Sequence, residues 1–380
     1  MVQNNLDAML ADGFTKRMAQ EYLTALDAER QSPMFDQSYV EWAHSLGFLA
    51  ESAHAYRLTD ETAPQYLSDY DFNRLWPLNE WQRIWINDKL TLKYCLAGTA
   101  YDRYLPKYYY YTKPEGLMPL VDSTLDPTVD GLAAILREVG EIACKPCNGF
   151  QARGFHRLAF DGHDLLVDSV PVGTEGLAAF VQANPNYVLT EFIRPCAQLA
   201  AIDPLIHTLR VLLVNPDGVT PTTLASYLRF GMGANKTGDV ANYRPPTEED
   251  ICSFNVQVDL ATGCFGNGKL VYANRVVDAP AHPDSGVVAQ GTLPYWDETL
   301  KMMHDVALRL GPVEYLGFDL GITEDGPKIM EINSHTGVKY LQLFTPLMAH
   351  EQAGAYFRAK LARLDALDSQ ARARRNGIVR

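Results

Sequence analysis

The sequence contains no apolar run approaching the roughly 18 residues that a membrane-spanning helix requires. Its 380 residues include six cysteines, scattered too widely to make a disulfide framework. It also lacks a basic excess: 33 Lys and Arg stand against 46 Asp and Glu, a formal charge of −13. That balance argues against nucleic acid or an anionic membrane as the main partner. The one basic cluster, Arg372, Arg374, Arg375 and Arg380, reads at least as well as a solvated tail. The opening MVQNNLDAMLADGF has no basic-then-apolar order of a signal peptide. Cys144 and Cys147 form a C-x-x-C without a second Cys or His pair at zinc spacing, so they read as small buried residues flanking Lys145. These absences lead to the expectation of a reduced, cytoplasmic protein.

What is present is ordinary for a globular chain: 47% hydrophobic and 21% charged residues. Residues 1–85 show apolar spacing of three and four, which predicts helices punctuated by Pro33, Pro64 and Pro77. The run NEWQRIWINDKLTLKYCLAG predicts one further helix, and LPKYYYYT a strand. Short β-like runs follow: EIACKP, HRLAF, DLLVDS, YVLTEFI, HTLRVLLVN, TLASYLRFG and FNVQVDL. WDETLKMMHDVALRLG and MAHEQAGAYFRAKLARLDAL read as helices. The expected class is α+β, with a helical N-terminal region.

The most informative stretch is EYLGFDLGITEDGPKIMEINSHTGV, Glu314 to Val338. YLGFDLGI and KIMEIN read as two strands joined by a three-residue Glu324-Asp325-Gly326 loop with glycine left-handed. That register sets Asp319 opposite Glu331 and puts Asn333 on the same face. Two carboxylates and an amide oxygen then share a patch whose hard donors suit Mg²⁺ or Mn²⁺ with phosphate. Carboxylates capping turns or paired with arginine are the alternative. Buried carboxylates need positive charge nearby, and cations occur elsewhere in the chain. Lys145 ends a strand before a loop with Gly149 and Gly154, whose N–H groups could cover phosphate. Lys89 opens a helix and, on its own, reads as a surface residue. Arg210 and Arg229 lie in apolar strand-like runs and need an anion, either a ligand oxyanion or a structural salt bridge. YVLTEFIRPCAQ suggests a hinge in which Glu191 and the backbone at Phe192 and Ile193 read a base edge.

Taken in this order, NDKL, CKPCNGFQARG, TEFI, TLRV, YLRFG and GFDLGITEDGPKIMEIN resemble the ATP-grasp superfamily over about residues 85–350. TLRV with YLRFG looks most like the sugar-transfer-associated ATP-grasp family, and the hairpin is also similar to that of tubulin-tyrosine-ligase-like enzymes. The resemblance implies an ATP-grasp fold: residues 1–85 helical, 86–350 the ATP-grasp part, and 351–380 a helix and basic tail. Within it, about 107–190 would be a mobile lid and about 191–350 the metal-binding subdomain. It implies that Lys89 and Lys145 hold the α- and β-phosphates of ATP. Arg210 and Arg229 would hold the γ-phosphate and an acyl phosphate, with Lys145 also catalytic. Asp319, Glu331 and Asn333 would bind two Mg²⁺ ions, with Mn²⁺ as a substitute, and Mg²⁺ and triphosphate would neutralise the carboxylates. Three departures stand out, the first being an N-terminal segment that reads as helical where many ATP-grasp modules are preceded by an α/β domain. NGFQARGF is poor in glycine for a phosphate-covering loop, and RPCAQLAAID replaces the usual ribose acid, with Gln198 or Asp203 as substitutes.

The resulting expectation is an ADP-forming carboxylate–amine ligase working through an acyl phosphate on a sugar acid, amino acid or small peptide, in surface-polysaccharide or secondary metabolism. His335, Lys339 and Gln342 would line the acceptor pocket. The alternative is a kinase acting on a small-molecule hydroxyl, with His335 as base. Nucleotide binding without chemistry is a third reading, weakened by the complete acidic trio. Nothing in the sequence sets an oligomeric state.

Overall fold

The computed structural model describes residues 5–120, 123–149, 154–232 and 253–377. The loop residues 150–153 that were expected to cover phosphate lie outside them, as does Arg380. Helices at Leu6–Ala11, Lys16–Gln31, Gln37–Ser45, Ala50–Ala55 and Asp69–Arg74 make up the N-terminal part, as the apolar spacing predicts. The expected single helix at 79–98 is broken. A helix at Ile84–Asn87 stops at Asp88, whose extended backbone (φ −99°, ψ 117°) and side chain begin a new helix at Lys89–Leu96. Asp88 accepts the Thr91 N–H at 2.7 Å. An aspartate satisfying an otherwise orphaned first-turn N–H makes a helix start there more stable than continuation.

Two antiparallel sheets follow. The first holds β1 (Tyr108–Lys113), β2 (Gly116–Pro119), β3 (Glu141–Pro146), β4 (His156–Phe160), β5 (Leu165–Val167), β6 (Val170–Pro171) and β7 (Tyr187–Glu191), in the order β2-β1-β7-β3-β4-β5-β6. The second holds β8 (Thr208–Val214), β9 (Thr222–Phe230), β10 (Ser253–Val258), β11 (Cys264–Val271), β12 (Val276–Asp278), β13 (Gly291–Thr292), β14 (Tyr315–Thr323) and β15 (Gly326–Asn333). Its order is β12-β11-β10-β9-β8-β14-β15, with β13 against β11.

Alternation along the strands decides what each face does. In the first sheet, Tyr110, Ile142, Cys144, Leu158 and Leu189 pack against helices Val129–Val139 and Gly173–Ala183. In the second, Leu209, Val211, Leu228, Phe318 and Leu320 bury against Met302, Met303 and Val306 of helix Trp296–Arg309. Each such fully buried side chain contributes on the order of 2 kcal/mol. The opposite face of the second sheet carries Leu212, Ala225, Tyr227 and Tyr315, covered by Phe72, Leu75, Tyr356 and Phe357 from the two ends of the chain.

Polar side chains fix that cover in place. Asn79, 3% exposed, accepts from the N–H groups of Glu314 (3.0 Å) and Tyr315 (2.9 Å) and donates to the Tyr315 carbonyl at 2.7 Å. The basic tail is not simply solvated. Arg375 donates to the carbonyls of Gly13, Arg74 and Trp76, and burial draws its pKa down to about 10. No helix among the described residues is long and apolar enough to cross a membrane.

Candidate active site

The β14–β15 hairpin brings the acidic residues together, by a route different from the expected one. Thr323 pairs with Gly326, so the turn is two residues, Glu324 and Asp325, not three. A bulge then shifts the register between the Leu320↔Ile329 and Asp319↔Glu331 pairs, with Met330 as the extra residue. The bulge restores the pairing that the longer loop would have given. Asp319 therefore does oppose Glu331. Asn333 Nδ2 lies 3.2 Å from Asp319 Oδ2 and 3.2 Å from Glu331 Oε1.

Positive charge reaches this patch from three elements. Arg210, the β8 cross-strand partner of Asp319, forks the carboxylate: Nη2 sits 2.7 Å from Oδ2 and Nε bonds Oδ1. Its Nη1 donates to the hydroxyl of Thr336. Lys89, at the start of its helix, is 7% exposed. Its Nζ stands 3.3 Å from Glu331 Oε2 and 3.2 Å from the Gly149 carbonyl. Its backbone N–H also donates to the Cys147 carbonyl at 2.8 Å, so the end of β3 is tied to the hairpin. The surface-lysine alternative is thereby excluded. Lys145 completes the group. Burial and the neighbouring Lys89 draw its pKa down to about 8, while Glu331 pulls the other way.

Protein cations thus lie against both carboxylates, Arg210 on Asp319 and Lys89 on Glu331. Burial pushes the Asp319 pKa upward against the pull of Arg210. Burial would raise Glu331 too, but Lys89 draws it below the usual carboxylate range. Among the described residues no three His, Cys, Asp or Glu gather as a metal cluster; Asn333 turns its Nδ2 to both carboxylates, so its amide would have to rotate to bring the oxygen in as a third donor. Two carboxylates and an amide are hard oxygen donors that fit Mg²⁺.

Other expected residues are placed elsewhere. Gln342 is 1% exposed. It accepts from the Leu67 N–H at 2.7 Å and donates to the Leu67 carbonyl at 2.9 Å, so it anchors the N-terminal layer and does not line an acceptor pocket. Lys339 pairs with Glu51 of the same layer. His335 stacks on Phe72, ring centroids 4.0 Å apart, and both ring nitrogens are buried. Burial and Arg375 pull its pKa down to about 3, which is wrong for a kinase base. Gln198 is exposed and donates its Nε2 to the Thr292 carbonyl at 3.1 Å, whereas Asp203 is buried 3.8 Å from His282 and is not presented to a ribose.

Where the sequence suggested a hinge, Glu191 Oε2 accepts the Lys107 N–H at 3.0 Å. Phe192 lies beneath the guanidinium groups of Arg157 and Arg194, at 5.5 and 4.9 Å. Ile193 is buried and would meet a methyl placed on Gly321 at 3.6 Å. Gly154 has φ +72°, and a Cβ there would lie 2.7 Å from the Tyr187 hydroxyl.

Arg229 Nε donates to Asn255 Oδ1 at 3.2 Å, and the guanidinium lies 4.5 Å from the Tyr340 ring centroid. Sequence reasoning missed Asn255, Thr336, Tyr340 and Asn87, whose Oδ1 accepts the Ser334 N–H at 2.9 Å. None of these four carried a local signal; the neighbouring Asp88 did, an aspartate directly before a helical run.

The model of the sugar-transfer associated ATP-grasp family matches residues 159–351, just over half of the chain. The protein belongs to that family. The matched span takes in Arg210, Arg229 and the whole acidic hairpin, and the ATP-grasp fold follows from membership. No curated protein sequence matches the chain.

Among solved structures, similar chains include D-alanyl-alanine synthetase A from Vibrio cholerae, at 12% identity and TM-score 0.40, covering 74% of this chain and 66% of that one. The L-amino acid ligase from Bacillus licheniformis aligns at 13% identity and TM-score 0.35, over 83% of this chain and 54% of its own. D-cycloserine synthetase DcsG aligns at 14% identity and TM-score 0.37, over 74% and 71%. This chain thus spans less than two thirds of the first two structures.

Proposed function

We propose that this ATP-grasp protein is an ADP-forming carboxylate–amine ligase. A substrate carboxylate oxygen attacks the γ-phosphorus of ATP, the bond to the β-phosphate oxygen breaks, and ADP leaves. An amine nitrogen then attacks the acyl carbon of the resulting acyl phosphate, inorganic phosphate departs, and the nitrogen loses a proton to give the amide.

The observation that carries this reading is the gathering of Lys89, Lys145 and Arg210 around Asp319, Glu331 and Asn333. Such a site needs no protein nucleophile, because positioning and charge neutralisation at the transferring group supply the catalysis. Lys89 and Lys145 hold the α- and β-phosphates, and Arg210 and Arg229 meet the γ-phosphate and acyl phosphate. Asp319, Glu331 and Asn333 would hold Mg²⁺, or Mn²⁺ in its place; bound there, the metal neutralises phosphate charge. Glu191, Phe192 and Ile193 stand at the hinge for adenine, and Gly149 and Gly154 border the phosphate loop. The acceptor is a small carboxylate such as a sugar acid, amino acid or short peptide. The burial of both His335 ring nitrogens weighs against the kinase alternative.

The test is incubation with ATP, a panel of carboxylates and hydroxylamine. Hydroxamate and ADP are expected. AMP with pyrophosphate would overturn the acyl-phosphate route, and ADP with a stable phosphate ester would establish a kinase.

A further inference from the structure

We propose that Asn255, Tyr227 and Tyr340 are positioning residues. They form an uncharged cradle that fixes the Arg229 guanidinium while leaving its positive charge for the oxyanion of the reaction. The inference rests on the ligase reading above, in which Arg229 meets the transferring phosphoryl group.

The two arginines occupy neighbouring positions on one face of the second sheet, and the protein treats them in opposite ways. Arg210 pairs across the strands with Asp319 and Tyr227, and its charge is met by the Asp319 carboxylate. Arg229 pairs across the strands with Asn255 on β10. Its Nε donates to Asn255 Oδ1 at 3.2 Å and its Nη2 to the Tyr227 hydroxyl at 3.1 Å. The rings of Tyr340 and Tyr227 lie 4.5 and 5.4 Å from its Cζ. Every one of these contacts is with a neutral group.

The cradle is also rigid. Asn255 and Ser253 are both fully buried, and Asn255 Nδ2 donates to Ser253 Oγ at 2.7 Å. Arg229 fixes which end of the amide faces it, since its Nε–H can only donate, and the serine hydroxyl is then free to accept from the nitrogen. An aspartate at 255 would bond Nε more strongly and cancel the charge. The amide aligns the fork without doing so. Tyr227, 2% exposed, does a second job: it stands opposite Arg210 while its hydroxyl takes Arg229, so one side chain spaces the two guanidinium groups. A planar cation oriented in this way offers its remaining N–H groups to an oxyanion with little loss of side-chain freedom on binding.

The test uses the full chain with Mg·ADP, alone and with orthovanadate, which stands in for the transferring phosphoryl group, followed by titration calorimetry. Asn255→Asp nearly preserves shape and keeps a bond to Nε but adds a negative charge. It should bind Mg·ADP within twofold of wild type and capture vanadate at least tenfold more weakly. Asn255→Ser, which shortens the side chain without adding charge, should fall between the two. Tyr227→Phe, expected to lose vanadate affinity a few-fold, decides the matter if Asn255→Asp does not fold. Vanadate capture by folded Asn255→Asp equal to wild type would overturn the cradle, as would an unchanged Tyr227→Phe. Failure of the wild type to bind Mg·ADP would instead overturn the nucleotide reading beneath it. Wild type that binds Mg·ADP but captures no vanadate would refute the inference alone.

Discussion

Replacing Arg210 by methionine removes a fork that holds Asp319 by two bonds and Thr336 by a third. Asp319 is 5% exposed, and afterwards its charge would face Asn333 Nδ2, 3.2 Å away, and the like-charged Glu331 opposite it. Breaking one side of a buried pair in this way costs about 3–5 kcal/mol, because the other charge is left uncompensated. At roughly 2–4 °C per kcal/mol, melting should fall by on the order of 10 °C.

The sign of the pH dependence follows from the carboxyl left behind. Burial already raises the folded pKa of Asp319, and loss of Arg210 raises it further. A carboxyl whose folded pKa exceeds its unfolded value of about 3.9 destabilises the fold above the folded pKa and ceases to do so below the unfolded one. The penalty of Arg210→Met should therefore be larger at pH 8 than at pH 5. Adding Asp319→Asn should recover most of it at pH 8, since the orphaned charge is then gone. Thermal unfolding of the four proteins at the two pH values gives the double-mutant cycle. A loss below about 1 kcal/mol at pH 8, or additive losses in the double variant, would refute the claim that Arg210 is what makes buried Asp319 tolerable.

Glu331→Gln should abolish ADP formation while shifting melting by only a few degrees, since Glu331 is partly exposed and its cation, Lys89, also bonds the Gly149 carbonyl; retained ATP consumption would count against the metal-ligand role. Gln342→Leu should cost about 2–4 kcal/mol by stranding the Leu67 N–H and carbonyl, with KM for the acceptor unchanged; a raised acceptor KM at constant stability would return Gln342 to the substrate pocket. Because Lys145 titrates near 8, its charge is present below that pH and lost above it. kcat/KM for ATP should decline above pH 8 in the wild type and stay flat in Lys145→Arg. Identical profiles would show that Lys145 does not meet phosphate. Arg229→Lys keeps charge but loses the planar fork, so kcat should fall much more than ATP affinity; equal losses in both would argue for simple binding.

Alternation and spacing within single segments determined much of this protein. The helical N-terminal region, the strands from EIACKP to FNVQVDL, the shared face of Asp319, Glu331 and Asn333, and the burial of Cys144 and Cys147 beside Lys145 were all readable, because a period of two or 3.6 residues states which side chains face inward. Local hydrogen bonding already went beyond the pattern. The hairpin register rests on a two-residue turn corrected by a bulge at Met330, and the helix before Lys89 breaks where Asp88 caps a new one. Only tertiary structure could decide partners. Arg210 faces Asp319, 109 residues away, and Lys89 joins Glu331 to Gly149. Gln342 and Lys339 turn to Leu67 and Glu51, residues of a helical layer whose position no local pattern encodes. His335, next to the acidic trio in sequence, stacks under Phe72, because burying an aromatic face against the N-terminal layer is more favourable than exposing it at the cleft. Which ionisable group meets charge, and which meets an apolar wall, depends on what the rest of the chain brings within a few ångströms.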